Sequence, residues 1–252
     1  MVMFNNDEMY HIGLRPSDGA DAAIICGDPE RVEKIAKLMN KPEFVASRRE
    51  YTTWSAEIDG KRILITSHGI GGPSTAICLE ELNLIGVKTV IRVGTCGGMA
   101  IDVKPGDIVV AQSAIRAEGT SREYLPIEFP ASADFSVTSA LAEAAKNMGK
   151  PYHVGVVHCK DSFYGQHSPS RMPVADELLY KWKAWIRGGC LASEMETAAM
   201  YTICATLGMR AGGVMWVVWN QERVNAGITD ESRGEVLDAA RCAIEAIKNL
   251  YN

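Results

Sequence analysis

The sequence predicts an α/β protein, a single-domain three-layer α/β/α sandwich around a mixed, largely parallel central sheet. Three observations predict it. Short apolar runs rich in Val and Ile alternate along the chain with stretches of helical periodicity, the rhythm of strands crossed by helices. Three presumptive strand ends finish in glycine-rich or charged segments: Gly27-Asp28, Gly94-Thr95 and Glu194-Met-Glu196. Strands in open α/β sheets end this way where they feed ligand-binding loops. No internal repeat, low-complexity tract or linker-like stretch interrupts the chain, so residues 1–252 read as one domain.

In chain order, 22–26 is a short buried strand ending in Gly-Asp-Pro, and Pro29 opens a helix to about residue 39, proline being tolerated in a first turn. Residues 51–58 alternate polar and apolar, and Asp59-Gly60 turns them into a second strand over 62–67. A glycine-rich bend over 69–74 leads into a helix from about 74 to 85. A strand at 89–93 stops at Gly94-Thr-Cys-Gly-Gly98, and further strands are expected at 107–111 and 113–117. The second half repeats the rhythm: helix 136–148, strand 154–158, a loop over 160–173, helix 174–186, then Glu194-Met-Glu196 and a helix to about 207. A very apolar strand at 213–219 and a final helix over about 230–250 complete the pattern.

Composition narrows the function classes. A chain 47% hydrophobic and 23% charged is ordinary for a soluble globular protein. Its net charge of −5 does not favour a general nucleic-acid or anionic-membrane surface. No apolar run approaches the ~18–20 residues of a membrane span. The polar start, with Asp7 and Glu8, lacks the basic end and apolar stretch of a secretory signal. Seven cysteines, none spaced C-x-x-C, lie mostly in apolar runs and read as reduced, buried side chains of a cytoplasmic protein, with no zinc pattern.

Gly69-Ile-Gly-Gly-Pro-Ser74 is neither a dinucleotide fingerprint nor a P-loop: the G-x-G-x-x-G spacing fails and no Gly-Lys-Ser/Thr follows. Gly94-Thr-Cys-Gly-Gly98 offers backbone N–H groups and the Thr95 hydroxyl to a phosphate, or is simply a tight turn. Arg92 stands inside the apolar strand Val-Ile-Arg-Val. A buried arginine must pair with an acid or hold an anion, and its fork suits phosphate oxygens. Glu194 and Glu196 share a face if extended; they read as a glycosidase pair or as acceptors for a ribose diol. The five histidines form no metal pattern.

Taken together, these segments resemble the uridine phosphorylase branch of the nucleoside phosphorylase family. The likeness rests on Cys-Gly-Asp-Pro-Glu-Arg31, Ser-Arg-Arg49-Glu-Tyr-Thr-Thr-Trp54, His-Gly-Ile-Gly-Gly-Pro-Ser74, Ile-Arg92-Val-Gly-Thr95-Cys-Gly97, Asp-Ser-Phe163-Tyr-Gly-Gln166 and Glu194-Met195-Glu196-Thr. It implies phosphorolysis of a pyrimidine nucleoside, uridine and phosphate giving uracil and ribose 1-phosphate, with phosphate as co-substrate and no cofactor. It implies that Gly27, Arg31, Arg92, Thr95 and a neighbouring subunit's Arg49 hold phosphate. It implies further that Thr95, Met195, Glu196 and the neighbour's His11 hold ribose and that Phe163 and Gln166 hold the base, for which Val217 and Val218 are expected to supply apolar walls. Arg92, Glu196 and Gln166 are the expected catalytic set. Glu50, Ile70 and Ser74 match a monovalent-cation (K+) site at a dimer contact, and members of this branch are typically hexamers built from dimers.

Two departures bear on the base. An arginine that usually follows the glutamine by two residues is here Ser168, and one expected after Asn220 is here Gln221. Arg171 is the first choice of replacement, with Arg223 and His167 as others. Purine-type members carry an acid after the late strand; Val217-Val-Trp-Asn220 has none, which favours a pyrimidine. The alternatives are a purine or broad-specificity phosphorylase, a hydrolase of the same fold, which the three arginines disfavour, and a non-catalytic nucleoside-binding homologue.

Overall fold

The computed structural model describes residues 8–231 and 233–251, so the first seven residues of the polar start lie outside it. Among the described residues ten strands, β1 (Ala22–Cys26), β2 (Asn40–Arg48), β3 (Tyr51–Ile58), β4 (Lys61–Ser67), β5 (Thr89–Gly98), β6 (Ile108–Ala117), β7 (Ala131–Ser132), β8 (Tyr152–Lys160), β9 (Ala192–Glu194) and β10 (Arg210–Asn220), form one sheet in the order β10–β6–β8–β9–β5–β1–β4–β3–β2, with β7 beside β6. Strand β10 also pairs with β5, so β5, β10, β6, β8 and β9 close on one another while β1, β4, β3 and β2 extend from the ring. The sheet is mixed: β4, β1, β5 and β10 run parallel, whereas β10 meets β6, and β5 meets β9, antiparallel.

β1 (Ala22–Cys26) shows how the layers form, since all five of its residues are buried. Ala23 and Ile25 pack on one face with Leu79 and Leu82 of α2 (Gly72–Leu84) and Met200 and Ile203 of α7 (Thr197–Leu207). Ala22, Ile24 and Cys26 pack on the other with α1 (Pro29–Ala36), α4 (Phe135–Asn147) and α9 (Val236–Tyr251). A strand covered on both faces must be apolar throughout, which is why the sequence shows a continuous run there. All seven cysteines are buried and unpaired.

Several boundaries differ from expectation. α1 ends at Ala36, and β2 (Asn40–Arg48) follows as an edge strand on β3 (Tyr51–Ile58). β2 is mostly exposed, carries Pro42 and pairs irregularly, so it lacks the alternation that marks a strand. β4 (Lys61–Ser67) follows the anticipated turn. β5 (Thr89–Gly98) continues through the glycines rather than stopping at Val93. β6 (Ile108–Ala117) is one strand with an irregularity between Ala111 and Ser113, not two. The stretch after β8 (Tyr152–Lys160) holds a short helix α5 (Phe163–His167) and a 3-10 turn (Pro169–Arg171), packed against α6 (Ala175–Arg187). β9 (Ala192–Glu194), β10 (Arg210–Asn220) and α8 (Gln221–Asn225) complete the frame, with α3 (Thr120–Tyr124) and β7 (Ala131–Ser132) unforeseen. The last helix begins at Val236, later than the expected 230.

Candidate active site

The parallel strands β1, β5 and β10 end on one side of the sheet, and a cleft of about 810 Å3 opens there. Its wall collects Gly27 before α1 and Arg31 in its first turn, Arg92 and Gly94 to Gly97 from β5, Lys160 at the end of β8, Phe163, Gln166 and His167 of α5, Ser193 to Glu196, and Val218 and Trp219 from β10. Asp28 accepts Glu30 N at 2.9 Å and so caps α1, which fixes the turn that presents Gly27 and Arg31.

Arg92 occupies one end and is 4% exposed. Its Nη2 pairs with Glu196 Oε2, and its Nη1 lies 3.3 Å from Glu194 Oε2. The ion-pair alternative is therefore realised, twice over. Yet Arg92 Nε and Nη1 lack hydrogen-bond partners, so a buried cation keeps donating capacity in the cleft that also exposes Arg31, Gly27 and Thr95. Burial pushes the Arg92 pKa down, but the Glu196 and Glu194 carboxylates outweigh it and hold the guanidinium above its usual range. Burial likewise pushes Glu196 up, and Arg92, His68 and the Gly71 N–H at 2.6 Å more than offset it, keeping that carboxylate ionised. Glu194 accepts the backbone N–H groups of Glu196 (2.9 Å) and Thr197 (2.9 Å), capping α7. A glycosidase pair needs one carboxyl held protonated as the acid. Here Glu196 is stabilised as the anion, and Glu194 is taken up by Arg92 and two backbone donors.

The other end is built around Gln166. Ser193 Oγ donates to its Oε1 at 2.8 Å, Lys160 Nζ donates to Ser193 Oγ at 2.9 Å, and Gln166 Nε2 donates to Gln221 Oε1 at 3.3 Å. Lys160 was not anticipated. It carries the same signal as Arg92, a cation at the end of an apolar strand, in Val-Val-His-Cys-Lys160. Burial pushes its ammonium below the ordinary lysine range, opposed by Glu194. Opposite stands an aromatic wall: His167 packs on Phe163 with ring centroids 4.2 Å apart and faces Trp219 at 5.3 Å.

Three of the residues expected at the base lie elsewhere, and a fourth does not. Val217 is fully buried in the core, because the β10 register shifts between Val217 and Trp219; the bulge turns Val218 and Trp219 to the cleft in succession. Arg171 lies outside the cleft wall, its guanidinium 6.0 Å from the Tyr164 ring. Arg223 is tied bidentately to Asp230 at 2.6 and 2.8 Å and to Ile101 O. His167 does line the cleft.

Three further candidates stay apart from this wall. Arg49 sits in the β2–β3 turn at φ +54°. His11 gives Nδ1 to Glu81 Oε1 at 2.6 Å, on α2. Ser74 Oγ donates to Ile70 O at 3.2 Å, while Glu50 and Ile70 line the cleft edge. Among the described residues no three His, Cys, Asp or Glu side chains are placed to hold a metal ion, and no helix is long and apolar enough to cross a membrane.

The family model described as "Phosphorylase superfamily" matches residues 21–250. The chain is 48% identical to a uridine phosphorylase of Treponema pallidum over 249 residues, covering 99% of this chain and 96% of that protein. It is 41% identical to the uridine phosphorylase of Escherichia coli, covering 98% and 99%. It is also 36% identical to a guanosine phosphorylase of Halorubrum lacusprofundi, covering 95% and 98%.

Proposed function

This chain belongs to the phosphorylase superfamily, and on that premise we propose how its cleft assembles phosphate, ribose and base. The reaction is phosphorolysis of pyrimidine nucleosides, a pentosyl transfer in which uridine and phosphate give uracil and ribose 1-phosphate. The observation that carries the assignment of parts is Arg92: a buried guanidinium that keeps Glu196 ionised and still has donors to spare. Gly27, Arg31, Arg92 and Thr95 hold the phosphate dianion, and Glu196, with Met195 and Thr95, accepts the ribose hydroxyls. As the glycosidic bond lengthens, positive charge grows on ribose and negative charge on the base. Phosphate supplies the nucleophile and the counter-charge on one side. On the other, Gln166 reads the base edge and Lys160, in place of Arg171, stabilises the departing anion. Phe163, Val218 and Trp219 flank the flat ring. No covalent enzyme intermediate is needed; positioning and preorganised charge lower the barrier.

Arg49 and His11 stand away from this chain's own cleft, so they are assigned to a neighbouring subunit's site. The minimal unit is then a dimer, assembled three at a time into a hexamer, with K+ held by Glu50, Ile70 and Ser74 at the dimer contact. Residues 1–252 act as one nucleoside phosphorylase domain in the cytoplasm. The guanosine phosphorylase relative keeps a purine reading open, but β10 ends without an acid: Asn220 is spent on Ala100 O and Val103 O. Uridine, thymidine, inosine and guanosine assayed with and without phosphate decide the matter. Uracil release that requires phosphate is expected. Turnover in phosphate-free buffer, or inosine cleaved faster than uridine, refutes the reading.

A further inference from the structure

Behind the base end lies a second chamber of about 220 Å3, between β8, α5 and α6. Trp182, Trp185 and Leu178 supply its apolar walls, and Lys160, Gln166 and Gln221 line it from the cleft side. Lys160 and Gln166 belong to both spaces, so they form the partition between them. We propose that this chamber is a second ligand site, for a single planar aromatic ring bearing a carboxylate, and that its occupation is linked to base binding through Gln166. The linkage rests on the function proposed above; the site does not.

Size and lining select the ligand. A cavity of roughly 150 Å3 with apolar walls stays dry and accepts benzene, so 220 Å3 suits one substituted ring. Indole faces favour a flat aromatic partner, and His158, tilted 31° against Trp185 with centroids 4.1 Å apart, adds a third ring. Buried as it is, that imidazole is neutral at ordinary pH and does not repel or bind an anion by charge. The partition, by contrast, offers donors. Lys160 donates to Ser193, which occupies one of its three N–H bonds. Gln221 accepts from Gln166 through Oε1, which leaves its Nε2 to donate elsewhere. Asp161 also lines the chamber but is turned to Gly119 N at 2.9 Å, and Lys181 at the rim pairs with Glu177 at 2.5 Å. The edge facing the partition must therefore accept hydrogen bonds, and a carboxylate does so with a matching charge.

Coupling follows from the same bonds. Ser193 and Gln221 each engage one end of the Gln166 amide, which leaves one N–H and one lone pair for a base and sets the direction in which they point. A carboxylate that draws Lys160 and Gln221 backwards removes the cation from the base and loosens Gln166, so rear ligand and nucleoside oppose one another, reciprocally.

Benzoate is the probe. Calorimetric titration into the whole protein, saturated with phosphate so that the front anion site is filled, should show saturable binding at about 10 mM or tighter. In steady-state assays benzoate should raise the Michaelis constant for uridine about five-fold or more and leave that for phosphate unchanged. Leu178→Trp fills the chamber and should abolish both effects while preserving turnover. If that variant does not fold, Leu178→Phe fills it partly and should weaken both. Three results overturn the site: no saturable binding to wild type, competition with phosphate, or an effect that survives a folded filled variant. Benzoate binding without any change in the uridine constant overturns the linkage. A protein that binds benzoate yet turns over no uridine refutes the function reading and leaves the site standing.

Discussion

At the scale of single residues, two buried cations, Arg92 and Lys160, line the cleft at its two ends, and each sits where an apolar strand runs out into a polar space. Lys160→Met keeps the stem and deletes the charge. It should lower kcat/KM for uridine by about 100-fold, as loss of a preorganised donor does. The Michaelis constant for phosphate should move less than about two-fold, since uniform binding there is untouched. Arg171→Ala, in the same assay, should resemble wild type; a larger loss there than at Lys160 reverses the assignment. Two buried histidines contribute to the acid sensitivity, beside carboxylates such as Glu196 and Asp238. Burial lowers His158 to about 3 and His68 to about 4, from 6.5. Below pH 6.5 the unfolded chain takes protons that these native imidazoles refuse. Stability is therefore complete above that pH and falls as pH drops towards 4, by roughly 1.4 kcal/mol per pH unit for each histidine. Urea unfolding at pH 6.5 and 5, at one protein concentration, should show the decline, and His158→Gln should make it shallower. An unchanged slope in the variant excludes His158 as a source.

At the scale of elements, β5 is the strand on which the site depends, and its glycines make room for side chains rather than for a turn. A Cβ on Gly94 would collide with Arg92 Nη1; one on Gly98 would lie 2.6 Å from Asn220 Nδ2; one on Gly97 would meet Trp219 Nε1 at an ordinary 3.4 Å. Each glycine thus answers to a different neighbour. Gly94→Ala should displace the Arg92 guanidinium and cost about 100-fold in turnover, with circular dichroism and cooperative unfolding retained. Gly97→Ala should change little. Equal activity of the two variants would mean that Arg92 is not held over Gly94 for catalysis. The bulge in β10 works alongside, since it sends two consecutive residues to the cleft where an unbroken strand would send one.

At the scale of the whole molecule, closure of β5, β10, β6, β8 and β9 brings residues distant in sequence into one cleft: Gly71 N meets Glu196 at a separation of 125 positions, and Arg92 meets the same carboxylate at 104. Arg49 and His11 remain outside it. A shared site predicts complementation. Arg92→Ala and Arg49→Ala should each be nearly inactive, yet refolding them together should restore part of the activity, because some mixed sites carry neither defect. Mixed dimers verified by mass that stay inactive would count against sharing, as would a fully active monomer.

Much of this is legible in the amino-acid sequence. The β1 strand, the Asp28-Pro29 helix start and the Tyr51–Ile58 hairpin follow from local pattern, and the grouping of Gly27, Arg31, Arg92, Thr95, Gln166 and Glu196 in one cleft follows from the family resemblance of their motifs. These features are written in neighbouring residues: periodicity, caps, turns, and a cation inside an apolar run. The edge strand β2 left no such mark, because exposure on both faces removes the alternation. The placement of cations around Gln166 is not written locally. Arg171 is near on the loop but lies outside the cleft wall, whereas Lys160 lines it, carried there by the parallel pairing of β8 with β9. Val217 gave way to Trp219 because one inserted residue changes which side chains face inward. Local chemistry is encoded along the chain, but which side chains converge is decided by strand order, register and closure, and those arise only when distant segments bury one another.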